Sequence, residues 1–385
     1  MGAHAFLPPS SAAIWLHCAA APSMWQKYPE PEDSPSAAEG TAAHWVFAAL
    51  MAPEHDVGIF PRVGSIAPNG VVVTQEMVEG AALFIEVVEE ARAIPGLLDT
   101  CTQIEQRVSI SNVHVENWGT PDAWIFGHNP TTGRARLVVA DYKFGHGYVE
   151  VFENPQLLDY AAGILYDELK IDGAGDRQID IEFVIVQPRS YHRDGPVRRW
   201  VVPADQCRAH FNSLRMAAEA ATKPNPLASP GAARCKHCSA RHACPALQAE
   251  AYASADKARD SLPLDLPTAA LALEASILQE ALGLLAARVS GLEEQIEYAL
   301  RAGQAVPGWC LASEPGRTKW AREIGEIIAL GQLCGADLSV PAVVTPTQAR
   351  KLIDPAIVAA YSVSGAGALK LKQTNNSQAR RVFGA

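Results

Sequence analysis

The stretch 119–160 constrains this chain more than any other. It reads Gly119-Thr120-Pro121-Asp122, an apolar run ending in Asp141-Tyr142-Lys143, then Gln156-Leu157-Leu158-Asp159-Tyr160. Residues 120–126 and 136–143 read as strands, and His128-Asn129-Pro130-Thr131-Thr132-Gly133 between them is a hairpin turn. A strand over 102–109, carrying Glu105, comes before them. Helix over 154–169 and strand over 180–187 follow, and helices over 36–51 and 74–93 precede. Helix, three strands, helix, strand is the order of an α/β core with a mixed sheet.

At 385 residues the chain is long enough for one large domain or two ordinary ones. We expect a first domain over 1–250 and a mainly helical second over 251–385. In the first, Ser10 and Ser11 before an apolar run suggest a capped helix start. In the second, 267–303 reads as one long helix, with Leu271, Ala275, Leu278, Leu282, Leu285, Val289, Leu292 and Ile296 in steps of three and four. That spacing permits a coiled coil, although a single helix packed on a core is the commoner explanation. Residues 308–320 suggest a small β element and the remainder is mostly helical.

With 48% hydrophobic and 19% charged residues, a folded chain is expected. No continuous apolar run reaches the ~18 residues of a membrane helix, and the first ten residues lack signal-peptide character. A cytoplasmic location without a membrane is the resulting expectation. The net charge of −10 is the wrong sign for binding phosphates. Carboxylates neutralised by bound cations soften that objection. So do two local basic stretches, Arg189, His192, Arg193, Arg198 and Arg199, and Lys370, Lys372, Arg380 and Arg381. Of the eight cysteines, Cys101, Cys207, Cys310 and Cys334 are isolated and read as small buried hydrophobes.

The central stretch has the composition for metal-assisted phosphodiester hydrolysis. Mg²⁺ or Mn²⁺ takes hard oxygen ligands. Asp122 and Asp141 at facing strand ends suit one ion, with the Tyr142 carbonyl as a further oxygen. Lys143, two residues past Asp141, points to the same face and can orient the attacking water. Glu105 suits a second ion or the water. Gln156 and Tyr160 share one helix face and can hold DNA backbone or bases.

His44, Glu105, Gly119-Thr120-Pro121-Asp122, Asp141-Tyr142-Lys143 and Gln156-x-x-x-Tyr160 resemble the successive motifs of RecB-like PD-(D/E)XK nucleases. The resemblance covers roughly residues 10–250 and implies the restriction-endonuclease-like core. It also implies His44 as a metal ligand, Asp122 and Asp141 as core ligands, and Lys143 as the catalytic lysine. Glu39-Gly40-Thr41-x-x-His44, Asp141-Tyr142-Lys143-x-Gly145 and Gln187-Pro188-Arg189 bring the chain closer to an uncharacterised phage- and prophage-associated family of such nucleases. That similarity extends to Gly308-Trp309 and Trp320.

Cys18 with Cys235-x2-Cys238-x5-Cys244 resembles the iron–sulfur branch of these enzymes, of the AddB and CRISPR-adaptation type. Four thiolates would hold a [4Fe–4S] cluster that clasps the N-terminal helix to the end of the domain. Zinc, held by the three clustered cysteines with Cys18, His237 or His242, is the competing reading; no metal at all is a third.

The resemblance implies a Mg²⁺- or Mn²⁺-dependent phage-type DNA exonuclease acting in recombination and repair. It would be phage or prophage encoded, in the cytoplasm of a bacterial host. Its partners would be DNA, a phage single-strand annealing protein and further copies of itself. The alternatives are an inactive DNA-binding or scaffold protein on a nuclease fold, and a zinc-stabilised nuclease acting on RNA.

Overall fold

A computed structural model describes all residues except 1–4, 30–34, 52–60, 95, 172–177, 191, 193, 258–266, 339–344, 350–351 and 374–385. Arg193, Arg380 and Arg381 of the basic stretches therefore lie outside the described residues. The chain divides into two compact units, Met1–Arg288 and Val289–Ala385.

The first unit begins with α1 (Ala12–Trp15), α2 (Ala21–Lys27), α3 (Pro35–Met51) and α4 (Gln75–Arg92). Strands β1 (Leu98–Ile104), β2 (Val108–Ser109), β3 (Trp118–Gly119), β4 (Ala123–His128) and β5 (Ala135–Tyr142) follow. Then come α5 (Pro155–Gly163), β6 (Ile179–Val186), β7 (Val197–Pro203), α6 (Arg208–Ala221), α7 (Ala232–Lys236) and α8 (Pro245–Lys257). Helix α9 (Thr268–Arg301) leads into the second unit, with β8 (Trp309–Trp320), α10 (Ile324–Leu333), α11 (Pro346–Ala349), α12 (Pro355–Tyr361) and β9 (Ser362–Gln373).

Five strands form a mixed sheet in the order β1-β4-β5-β6-β7, with β5 and β6 parallel and every other pair antiparallel. Side chains alternate across it with a period of two. Ala123, Ile125, Val138, Ala140, Tyr142, Val184 and Val186 face α3 and α4, packing with Phe47, Met77, Phe84 and Val88. Trp124, Leu137, Val139, Ile181, Phe183 and Ile185 face the other way, toward Leu157, Ala161, Leu214 and Trp15. Covered on both faces, β5 and β6 are almost continuously apolar, as buried central strands are. The helix–sheet–helix arrangement is thus the α/β core with a mixed sheet expected from the element order.

Local chemistry sets the ends of the elements that frame the site. The Thr74 side chain caps α4 by accepting from the Met77 N–H. Asn154 caps α5 by accepting from Gln156 and Leu157, with Pro155 at the first helical position. In the hairpin turn, Asn129 Oδ1 accepts from Thr131 and Thr132, and Gly133 supplies the positive φ of 69°.

The structure departs from the sequence expectation in several places. The strand expected over 102–109 is broken, because Glu105 has a φ of 48° and its N–H bonds the Asp122 carbonyl. Beyond the break, β2 leaves the main sheet and pairs with β3. Ser11 makes no side-chain cap to α1. Strand β7, unexpected from its paired arginines, is an edge whose Arg199 pairs with Glu182 and Glu90. Strand β9 pairs antiparallel with β8 where helix was expected. Cys207 is buried as expected, but Cys101 and Cys334 are exposed.

Helix α9 bears on two expectations. Ala270–Arg301 is long and apolar enough, by length and composition alone, to cross a membrane. Glu274 and Glu280 interrupt its apolar residues, so it holds no continuous apolar run of ~18 residues. Nor is its heptad stripe packed on a core, since Leu271, Leu278, Leu282, Val289 and Leu292 are exposed. Leu284 and Ala287, off the stripe, are the ones that pack, against Leu247.

One buried pair holds α5 in place. Asn117 Nδ2 donates to both carboxylate oxygens of Asp159 at 2.9 and 3.0 Å, and neither residue is exposed. Burial pushes the Asp159 carboxyl up to about 8, against the opposing pull of the Asn117 hydrogen bond. The folded chain thus holds this proton more tightly than the unfolded chain does. Its stabilising contribution is complete below about pH 4 and is lost as pH rises through about 8. Urea unfolding is expected to show stability falling between pH 5 and 8, with a slope approaching about 1.4 kcal/mol per pH unit from this group. Asp159→Asn should flatten that slope and be the more stable protein at pH 8; an unchanged slope would refute the assignment.

Candidate metal centre

The candidate ligands meet at one end of the central sheet because of strand register. Ala123 lies opposite Ala140, so Asp122 just before β4 neighbours Asp141 in β5. Ile104 lies opposite Ala123, which sets Glu105 beside them. From α3, His44 Nδ1 reaches to 3.0 Å from Asp122 Oδ1 and 3.6 Å from Glu105 Oε1. One donor atom from each of these three residues lies within 4.8 Å of the other two. The second Asp122 oxygen accepts from the Tyr142 N–H at 2.6 Å.

A second trio adjoins the first. Lys143 Nζ is 3.0 Å from Asp141 Oδ2 and donates to Gln156 Oε1 at 3.1 Å. Gln156 Nε2 donates to Asp141 Oδ1 at 2.8 Å, closing the ring. Tyr160 is buried and donates its hydroxyl to the Thr120 carbonyl at 3.1 Å. In this structure half-buried Gln156 bonds both the acid and the lysine, and buried Tyr160 braces the loop before Asp122. A short i, i+4 spacing could not distinguish these roles, because it fixes a helix face without saying what the face meets.

Gly119 is required by close approach, since a Cβ there would lie 2.9 Å from the Pro9 and Tyr160 rings.

The electrostatics follow from burial. Asp122 and Asp141 are 6% and 3% exposed. For Asp141, burial and then the Asp122 charge outweigh the Lys143 ammonium and lift its carboxyl to about 6. Burial alone would push the His44 imidazole down, but Asp122 and Glu105 together carry it up to about 10. Lys143 is likewise raised, because Asp141 and Asp122 outweigh its desolvation. Two cationic side chains thus sit against three acids, and His44 must give up a proton before it can ligate a metal. The carboxylate oxygens are donors that suit Mg²⁺ or Mn²⁺, and the imidazole nitrogen is a donor for transition metals, so the His44, Glu105 and Asp122 group could hold a divalent metal.

Sequence reasoning quoted Glu39, Gln187 and Arg189 as motif residues but gave them no task. Gln187 is fully buried; it donates to the Gly145 and Gly147 carbonyls and accepts from the Val149 N–H. It thereby shapes the loop between Lys143 and α5. Arg189 joins Glu39 on α3 and Glu76 on α4 to the ring of Phe144.

Cys18, Cys235, Cys238 and Cys244 line one cavity with Ile14, Met24, Pro230 and Leu247. Backbone N–H groups of Ser229, Gly231 and Leu247 donate to the sulfurs of Cys18, Cys235 and Cys244 at 3.4, 3.4 and 3.5 Å. Burial pushes the Cys235 and Cys238 thiols up. His237 and His242 are not among the lining residues; His242 packs on Tyr28 and meets the Ser239 carbonyl. The segment around Cys18 is tied here by Ala20 N–H to the Leu227 carbonyl and by Ser239 Oγ to the Tyr28 carbonyl.

The model of a family described as Protein of unknown function (DUF2800) matches residues 4–360. The chain belongs to that family.

The packing at Gly119 makes a checkable prediction. Gly119→Ala is expected to cost about 1–3 kcal/mol in urea unfolding, the usual cost of overpacking. A loss below about 0.5 kcal/mol would show that Pro9 and Tyr160 yield without strain.

Proposed function

We propose that this member of the family is a metal-dependent nuclease that hydrolyses phosphodiester bonds in DNA on a RecB-like PD-(D/E)XK core. One observation carries the reading: His44, Glu105, Asp122, Asp141, Lys143 and Gln156, 112 positions apart in sequence from first to last (156 − 44), converge at one sheet end. Their order along the chain is the one that resembles that superfamily.

In this reading His44, Asp122 and Asp141 hold Mg²⁺ or Mn²⁺, with the Tyr142 carbonyl as a further oxygen and Glu105 serving a second ion or the water. Bound there, the ion supplies charge neutralisation at phosphorus and acidifies a water. Asp141 and Gln156 hold the Lys143 ammonium in place, where it orients that water and meets charge developing on the phosphate. Asp122 is held by the Tyr142 N–H, which leaves its other oxygen toward His44. The same resemblance carries further proposals: exonuclease action in recombination, an annealing protein as partner, a homo-oligomer, and a phage- or prophage-encoded chain in a bacterial cytoplasm.

At the four cysteines we propose a [4Fe–4S] cluster acting as a structural clasp. N–H donors on three of the sulfurs, and a largely apolar lining with Arg234 and Arg241 at the same cavity, suit thiolate-bound iron–sulfur ligation. Zinc remains the competing occupant of the same sulfurs.

With Mg²⁺ or Mn²⁺ the purified protein should degrade DNA, and Asp141→Ala or Lys143→Ala should lower the rate by roughly 10²-fold or more with the circular dichroism spectrum retained. Rates equal to wild type would overturn the nuclease reading. Linear DNA degraded faster than closed circular DNA is the result expected of an exonuclease. Prepared anaerobically, the protein should be brown with broad absorption near ~400 nm. Colourless protein with stoichiometric zinc would remove the cluster.

A further inference from the structure

Gln187-Pro188-Arg189 directly follows β6 and has no part in the chemistry above. Arg189 nevertheless occupies a built position. Its Nη1 donates to Glu39 Oε2 and its Nη2 to Glu76 Oε2, each at 2.8 Å. Its guanidinium lies 3.9 Å from the centroid of the Phe144 ring, and its side chain is 13% exposed. A planar fork fits this use, with one edge for each carboxylate and a face for the ring. Phe144 adjoins Lys143, Glu39 lies five residues before His44, and Glu76 lies in the first turn of α4. One side chain thus ties both helices of this layer to the sheet end that carries Asp141 and Lys143.

Helix α3 has a use for such a tie near His44. Ahead of His44 it buries only the small side chains of Ala42 and Ala43, and its larger buried residues Val46 and Phe47 come after. Small residues allow close approach to a neighbour but do not interlock with it, so they fix rotation and height poorly. Glu39 to Arg189, with Asn69 donating to the Ala38 carbonyl at 2.8 Å, supplies the missing anchor.

We propose that Arg189 is a positioning residue of the metal site, acting through Glu39 to set the rotation and height of α3 so that His44 meets Asp122. The proposal rests on the metal-site reading given above. Removing such supporting partners typically costs 10–100-fold in metal affinity.

The test uses the two arms of the fork as mutual controls. Glu39→Gln and Glu76→Gln each remove one carboxylate at the same distance and similar exposure, 44% and 50%. Mn²⁺ affinity is measured by calorimetry on the full chain, with Asp122→Asn defining the site and melting in EDTA reporting stability. Glu39→Gln and Arg189→Gln should weaken Mn²⁺ about tenfold, and Glu76→Gln less than about twofold, while the two glutamate variants melt within a few degrees of each other. Equal affinity losses for Glu39→Gln and Glu76→Gln would overturn the proposal and leave the metal site standing. Mn²⁺ binding that Asp122→Asn does not reduce would overturn both. Should Arg189→Gln fail to fold, the single-arm comparison still decides.

Discussion

The antiparallel pairing of β4 with β5 is the constraint on which the rest depends. With Ala123 opposite Ala140, two nearly buried carboxylates, Asp122 and Asp141, come to the same end of the sheet. Unpaired, each would carry a large desolvation cost, and together they repel. Much of the surrounding architecture answers that cost. A histidine from one helical layer and a lysine directly after the strand supply positive charge. The Tyr142 amide and the Gln156 side chain supply oriented dipoles.

The two helical layers divide this work. Helix α3 brings its imidazole over one face, α5 brings its amide over the other, and both are aimed by contacts outside the ligand set. Asp159 with Asn117 pins α5, while Arg189 with Glu39 pins α3. Both pins are polar and at least partly withdrawn from water, so each holds by geometry as well as by energy. The left-handed backbone at Glu105 belongs to the same arrangement, a local cost carried where the strand must turn aside and leave its carboxylate beside Asp122.

What could be read from the sequence was whatever local pattern determines. β5 and β6 were legible because burial on both faces leaves near-continuous apolar runs. The hairpin was legible because Asn129 and Gly133 have few other uses in sequence. The break at Glu105 was not, since nothing in Gln103-Ile104-Glu105-Gln106 announces a positive φ; a partner carbonyl from Asp122 imposes it. Strand β7 was hidden because Arg198 and Arg199 look like solvated charge, whereas Arg198 is buried against Gln187 and Arg199 meets Glu182. Strand β9, rich in Gly, Ala and Ser, has little intrinsic β preference and takes its form from pairing with β8. The acids that meet at this sheet end were legible by spacing. The roles of Glu39, Gln187 and Arg189 were not, because they are set by contacts across the fold.

Glu39 and Arg189 stand 150 residues apart along the chain, and β5 meets β6 in parallel only after the intervening crossover has formed. Contacts of such long range are made late, since loop-closure entropy is lost before they repay it. Neither the hairpin alone nor the α3–α4 pair alone contains the assembled constellation. The constellation therefore exists only once contacts of this range are in place, and a half-folded chain carries the acids without the geometry that gathers them.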